Sequence, residues 1–438
     1  MADSSLATLG LAEMSVAYPR RDNSVLGFDP ATIRRDAEAT RIIVHARYPA
    51  LVEAFLAHKR THGSSVEKRV YGAAAWSWRD QVARLVAKRP LAFLDPSDST
   101  LLRDGTYVPH DVSAREWDAV GTELDLRGTG AGIGRRNEYL GLDDYLSYDE
   151  IMLGSLLGVS GPSHFINDGN RYNQARRSPH AGAYEPRGVI VGVVGARFER
   201  PDRMDSVHCL PPAAKPRQHP ELTQIFQDFF FQGSGVRRNP TAAFDAAAYK
   251  GRIRVTVDLL LLEANSRGRV AAAAAGASCS GAYLYVVGLG LGVWQIDGAQ
   301  TRLYVEAFAE ALDALDHDEL SAIRTLDFAW LSGVPAATQA QVTRAAARRG
   351  IGAVKFSRRN PAGRLPAAEA DQLLVLSYAW DGNAFPGNEY WMGMLTASGD
   401  PAAASMSTIS ELHNPVMNPG FLQRIEVLGR VPEAGSGW

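Results

Sequence analysis

Apolar positions along this 438-residue chain fall into two patterns that take turns. Short unbroken apolar runs, bounded by glycine or polar residues, predict strands buried on both faces. They are Gly188–Phe198, Ala282–Val287, Leu326–Leu331, Gly352–Phe356 and Leu373–Tyr378. Longer segments in which apolar residues return every three or four positions predict helices. These are Pro220–Phe231, Asp258–Ala275, a stretch from Asp297 carrying Leu303, Val305, Phe308, Ala309 and Leu312, and Ala337–Arg348. A further short run, Arg252–Val257, reads as a strand ahead of the second helix. Strands alternating with helices predict an α/β layered fold with a mixed, mostly parallel sheet.

The front of the chain reads differently. Residues 1–28 show little periodicity and read as a loose tail. From Asp29-Pro30, a capping residue before a first-turn proline, Ile33, Ala37, Ile42, Val44, Tyr48, Leu51 and Phe55 recur at helical spacing. One or two more helices follow over Val66–Lys88. Residues 29–115 therefore read as a helical extension, and 116–430 as the main α/β domain. Within that domain Ser147, with Glu150 three residues on, forms a capping box that opens a helix.

Composition narrows the function classes. An apolar content of 46% and a charged content of 21% suit a globular chain with a sizeable core. A net charge of −2 supplies no overall basic field, so no nucleic-acid partner is expected. The two cysteines, Cys209 and Cys279, make neither a disulfide framework nor a zinc site, and no metal or cofactor is expected. They read as thiols in a reducing compartment. No basic-then-apolar leader and no uninterrupted membrane-length run is visible, which points to a cytoplasmic protein without membrane association.

Two loops carry the candidate chemistry. Gly288-Leu-Gly-Leu-Gly292, then Val293-Trp294, follows the Ala282–Val287 strand and precedes a helix. Glycines let main-chain amides approach an anion, so this is either a phosphate cradle or a tight turn without a ligand. The run Gly128–Gly134 also has four glycines, but no strand leads into it and Arg135-Arg136-Asn137 follow. It reads as a surface loop, not a dinucleotide fingerprint. The second loop, Trp380–Trp391, leaves the Leu373–Tyr378 strand and is followed by Ser398-Gly-Asp-Pro401. It sets Asp381, Glu389 and Asp400, with Asn383, Gly387 and Asn388, beyond a strand end, where α/β sheets bind ligands. The aromatics Tyr378, Trp380, Phe385, Tyr390 and Trp391 supply apolar walls or plain core. Capping and Asx turns are the competing reading of the polar residues. A diphosphate cradle beside paired acids suits ADP-ribose or a similar nucleotide diphosphate, cleaved at an anomeric carbon through an oxocarbenium-like state.

Seven segments in order resemble the MavL-type ADP-ribosylhydrolases, bacterial effectors with an atypical macrodomain-like fold. They are Tyr145-Leu-Ser-Tyr-Asp-Glu-Ile, Phe165-Ile-Asn-Asp-Gly, Val194-Gly-Ala-Arg-Phe-Glu, Leu262-Glu-Ala-Asn-Ser-Arg, Val287-Gly-Leu-Gly-Leu-Gly-Val-Trp, Pro386-Gly-Asn-Glu-Tyr-Trp and Ser398-Gly-Asp-Pro-Ala-Ala-Ala. The resemblance runs from roughly Tyr139 to Asn418 and leaves the front third unmatched. It implies a three-layer α/β/α domain that binds ADP-ribose and removes it from a modified protein, arginine-linked ADP-ribosyl-ubiquitin being the family's substrate. It also implies delivery into a host cell by a secretion system. By motif, the catalytic acids are Asp381, Glu389 and Asp400; the family's acids are aspartates, so Glu389 departs from its pattern. The implied ligand contacts are Gly195, Arg197 and Phe198, the loop Gly288, Leu289, Gly290, Leu291, Gly292, Val293 and Trp294, and Asn383, Gly387, Asn388 and Ser407. Arg197 and Glu199 are equally readable as a structural ion pair. A non-catalytic ADP-ribose reader, or a scaffold with a vestigial pocket, stays open beside the enzyme, because a fold does not set a function.

Overall fold

Alternate side chains of the central strands enter two different cores. Ile42, Val44, Ile190, Tyr283, Tyr285, Leu374 and Leu376 lie in one, and Ile43, Val189, Val191, Leu284, Val286 and Val375 in the other. That alternation is the period of a strand covered on both faces. The computed structural model describes residues 5–73, 75–94, 99–125, 137–198, 200–213, 217–231, 239 and 241–430. Among these, eight strands form the central sheet: β1 Arg41–His45, β2 Gly158–His164, β3 Arg187–Val193, β4 Gly281–Val286, β5 Ile323–Ala329, β6 Ala353–Ser357, β7 Gln372–Ala379 and β8 Ile425–Leu428. Their order is β8-β1-β2-β3-β7-β4-β5-β6. Only β2 runs against its neighbours; every other pairing is parallel. Late in the chain, β7 slots between β3 and β4, with Leu376 opposite Ile190 on one side and Tyr285 on the other.

Helices cover both faces. We label α1 Pro30–Ala39, α2 Tyr48–His62, α3 Ser65–Tyr71, α4 Trp78–Ala87, α5 Tyr148–Gly154, α6 Pro220–Phe231, α7 Ala246–Ala275, α8 Gln300–Ala314, α9 Ala336–Arg348 and α10 Asp400–Met406. Residues of α2, α4, α5 and α6 fill the first core, and residues of α7, α8 and α9 the second. The result is the expected three-layer α/β/α arrangement on a mostly parallel sheet. The capping box at Ser147 and Glu150 opens α5 as expected.

Four local expectations change. The helix predicted through Ile42 and Val44 breaks: α1 ends at Ala39, and the β-branched run Ile42-Ile43-Val44 enters the sheet as β1. Arg252–Val257 is not a strand but part of α7. Every residue from Arg252 to Asn265 is buried, and a helix buried all round shows no polar stripe to mark its period. The first residues are not loose where described: Leu6, Leu9, Leu11 and Val25 pack against Ile33, Leu412 and Met417. Asp297 does not start α8; its carboxylate accepts the Ala299 N–H at 2.7 Å, and residues 293–299 separate the glycine loop from the helix. The run Gly128–Gly134 and the residue Glu199 lie outside the described residues. No helix among the described residues is long and apolar enough to cross a membrane.

Candidate functional site

Strands β3, β7 and β4 lie side by side and point the same way, so the segments leaving Val193, Ala379 and Val286 emerge together at one sheet edge. A buried ion pair shapes the first segment. Arg252 of α7 donates to the Gly195 carbonyl at 3.2 Å and to the Ser155 carbonyl at 3.1 Å. Its Nε lies 3.0 Å from the equally buried Asp205. The other Asp205 oxygen accepts the Arg197 N–H at 2.8 Å. The turn after β3 is thus pinned from both sides. A Cβ on Gly195 would sit 2.3 Å from the Gly290 nitrogen. The loops after β3 and β4 therefore meet main chain to main chain, which only glycine allows. Gly290 itself has φ of 70°.

One side chain binds the three loops together. The Arg197 guanidinium donates to the Asp381 carbonyl at 2.7 Å and lies 4.6 Å over the Trp294 ring. Its planar fork satisfies the carbonyl while its face stacks on the indole. Burial of Arg197, only 1% exposed, makes it a brace between loops.

The loop after β7 is shaped by its own main chain. Gly382 has φ of 73°, Gly387 of 112° and Asn388 of 33°. The Trp380 and Trp391 indoles donate to the carbonyls of Ala384 and Pro386, each at 3.1 Å. Asn388 clasps Phe93 through both ends of its amide, accepting at 2.9 Å and donating at 3.2 Å. The same amide donates to the Asp381 carboxylate. Next to it, the Gly387 N–H donates to Asp400 Oδ1 at 2.6 Å. Asp381 and Asp400, nineteen residues apart in sequence, are so fastened to adjacent residues of one turn.

Asp400 is buried at the start of α10. Burial, then the neighbouring charges of Asp381 and Glu389, push its carboxyl well above the usual carboxylate range, against the opposing pull of the Gly387 hydrogen bond. Burial thus favours the protonated form of Asp400. Glu389 is partly buried, and burial raises it too.

Polar atoms without partners collect beneath this loop. Asp400 Oδ2, both ends of the Asn383 amide, the Tyr378 hydroxyl and Arg89 Nη1 are buried and make no hydrogen bond. Arg89, wholly buried, lies 4.0 Å over the Trp380 ring. Burial draws its pKa down to about 9, with the charges of Tyr378 and Asp400 among those acting on it. Tyr378 is in turn raised by burial and by Asp400. Buried polar groups are almost always satisfied within a fold, so such a gathering at a sheet's binding edge suits a polar ligand.

The structure thus brings together Asp381, Asp400, Glu389, Gly387, Asn388, Gly195, Gly290, Arg197 and Trp294. Two predicted contacts are engaged with other residues of the fold. Phe198 packs in the second core, 6.0 Å from Phe244 and 6.5 Å from Tyr249. Ser407, at the end of α10, gives its hydroxyl to the Ala403 carbonyl at 2.6 Å. Along the glycine loop, Leu289 is buried, Leu291 and Gly288 are half-buried, Gly292 is exposed, and Val293 is 91% exposed. Sequence reasoning passed over Arg89, the Tyr378 hydroxyl and the Arg252–Asp205 pair.

Comparison with known proteins gives the family. The sequence model of the family described as ADP-ribosylhydrolase MavL-like matches residues 21–210 and 230–427. ADP-ribosylarginine hydrolase CG3568 of Drosophila melanogaster is 33% identical over 429 residues, spanning 89% of this chain and 78% of the fly protein. ADP-ribosylarginine hydrolase CG2909 of the same organism is 32% identical over 425 residues, spanning 89% and 79%. The family match starts at residue 21, so likeness extends through the front third that the motifs left unmatched. On this match, which takes in most of its length, the chain belongs to the MavL-like ADP-ribosylhydrolase family and is a hydrolase of protein ADP-ribosylation.

Proposed function

We propose that this chain binds ADP-ribose where β3, β7 and β4 end, and hydrolyses the bond between its ribose and an arginine side chain of a modified protein. The observation that carries the reading is the pairing of Asp381 and Asp400 on one turn, with the Asp400 carboxyl pushed upward by burial. The names of the fly relatives support the arginine linkage. The main chain around Gly195 and Gly288–Gly292 receives the diphosphate, and the partnerless Asn383 amide and Asp400 Oδ2 face the sugar. As the bond from the anomeric carbon to the guanidine nitrogen breaks, its electron pair stays on nitrogen and Asp400 delivers a proton there. Asp381 stabilises the oxocarbenium-like carbon and takes a proton from the water that adds to it. The products are free ADP-ribose and unmodified arginine, and solvent returns the proton to Asp400.

Arginine-ADP-ribosylated ubiquitin is the first substrate to test. Release of ADP-ribose is followed by mass spectrometry for the wild type, Asp381→Ala and Asp400→Ala. Loss of the modification with the wild type alone supports the assignment. Binding of ADP-ribose without release by any of them turns the reading to another modified protein or linkage, or to a reader, and neither binding nor release removes ADP-ribose from consideration.

A further inference from the structure

Away from this edge, α2 and α6 meet at a cluster that the hydrolase chemistry does not use. His58 and His62 stand one turn apart on α2. His219 and Glu221 flank Pro220, the first residue of α6. We propose that His58, His62, His219 and Glu221 form a site for a divalent transition-metal ion of the zinc type, joining the two helices.

Ligand atoms of three of these residues gather round one point, and His62 stands beside them. Glu221 Oε2 lies 3.0 Å from His62 Nε2 and 3.8 Å from His58 Nδ1. Ligand atoms of His58, His219 and Glu221 all fall within 4.8 Å of one another. The ring centroids are 5.0 Å apart for His58 and His62, 4.8 Å for His58 and His219, and 5.0 Å for His62 and His219. Zinc binds an imidazole nitrogen at about 2 Å, which puts the ring centre about 3 Å from the ion. Three such rings at tetrahedral angles stand about 5 Å apart. Three imidazoles with one carboxylate is also a donor set for zinc and its neighbours, and a poor one for magnesium or calcium.

The ligands are prepared for an ion. His58 Nδ1 is buried and makes no hydrogen bond. Ligation through His219 Nε2 puts the ring proton on Nδ1, which gives up the 3.3 Å hydrogen bond it accepts from the Glu221 N–H. The preceding residue is anchored separately: Gln218 donates to Asp149 at 3.1 Å and accepts from Thr223 at 2.9 Å. Asp149 is ion-paired at 2.6 Å to Lys59, the neighbour of His58. A simple surface pair of Glu221 with His62 explains neither the third ring nor the partnerless buried nitrogen of His58.

The test uses the full chain after chelator treatment. Zinc titrated by calorimetry is expected to bind one per chain with Kd below about 1 μM. Cobalt is expected to give the intense visible absorption of a four-coordinate site, and magnesium and calcium to give no heat. His62 and His219 are solvent-facing, so His62→Ala and His219→Ala keep the fold. Each is expected to weaken zinc binding about 100-fold or more, and to abolish the zinc-dependent rise of several degrees in Tm seen in the wild type. His58→Ala, at a buried position, is read only if its circular dichroism matches the wild type. Zinc weaker than about 100 μM, equal affinity in the two exposed variants, or only the weak absorption of six-coordinate cobalt would overturn the proposal.

Discussion

Asp381 and Asp400 hang from neighbouring residues: the Asn388 amide donates to one carboxylate, and the Gly387 N–H donates to the other at 2.6 Å. Their separation is therefore set by one turn whose positive φ angles, 112° and 33°, admit few side chains. The turn is locked from outside by the clasp of Asn388 on Phe93. Two acids fastened to one rigid turn, one of them raised by burial, are what acid–base hydrolysis needs.

Asp400→Asn keeps an acceptor for the Gly387 N–H and removes the proton donor. Turnover of an arginine-ADP-ribosylated substrate is expected to fall about 10²- to 10⁴-fold. The Kd for ADP-ribose, by calorimetry, should change less than about 5-fold. A variant that turns over normally would leave Asp400 a structural residue. One that loses binding as well would make it a ligand anchor.

Stability should carry the mark of the same carboxyl. Its proton affinity is raised in the folded chain, chiefly by burial and then by Asp381. Below about pH 4 folded and unfolded chains both hold the proton, and the contribution is fully present. As pH rises, the unfolded chain releases its proton while the fold retains it. Stability is then lost, with a limiting slope of about 1.4 kcal/mol per pH unit, until the folded group titrates. Asp400→Asn lacks this slope. Urea unfolding from pH 4.5 to 8 should show the wild type losing ground to the variant as pH rises. Parallel curves would mean that Asp400 ionises in the fold as it does in solution.

Arg197→Lys tests the brace between the three loops. An ammonium can reach a carbonyl but cannot also lie flat on an indole. Loss of the stack on Trp294 costs about 0.5–2 kcal/mol of stability. The loops at Asp381 and Trp294 should then separate. A roughly 10-fold rise in KM with a smaller change in kcat is expected from steady-state kinetics. An effect confined to kcat would instead put Arg197 against the reacting atoms.

How far the site was legible depended on which physics wrote each part. Leu373–Tyr378 and Ala282–Val287 showed as strands because a parallel strand covered on both faces is apolar throughout. The acids and glycines after them were visible as loop chemistry. Hidden was the insertion of β7 between β3 and β4. That adjacency makes one site of Arg197, Asp381 and Trp294, residues spread over 185 positions. β1 was hidden because Ile42 and Val44 also fit the helical spacing of the residues around them. Arg89 looks from sequence like any charge at the end of a helix; only the fold puts it under Trp380, within the field of Asp400.

The contact between the two glycine-bearing loops offers the sharpest contrast. A methyl at Gly195 would lie 2.3 Å from the Gly290 nitrogen and 2.4 Å from the Leu289 carbonyl carbon. Both are main-chain atoms, which cannot swing aside as a flexible side chain can. At Gly292, in the same loop as Gly290, nothing lies within 4 Å of an added Cβ. Gly195→Ala should therefore push the loops after β3 and β4 apart, destabilise the fold by about 1–3 kcal/mol, and weaken ADP-ribose binding at least 10-fold. Gly292→Ala should leave stability within about 0.5 kcal/mol and stay within about 3-fold of wild-type affinity. Calorimetry and urea unfolding on the pair decide it. If Gly195→Ala binds ADP-ribose as the wild type does, the ligand does not depend on that main-chain contact. If Gly292→Ala alone loses binding, the diphosphate lies along the exposed half of the loop instead.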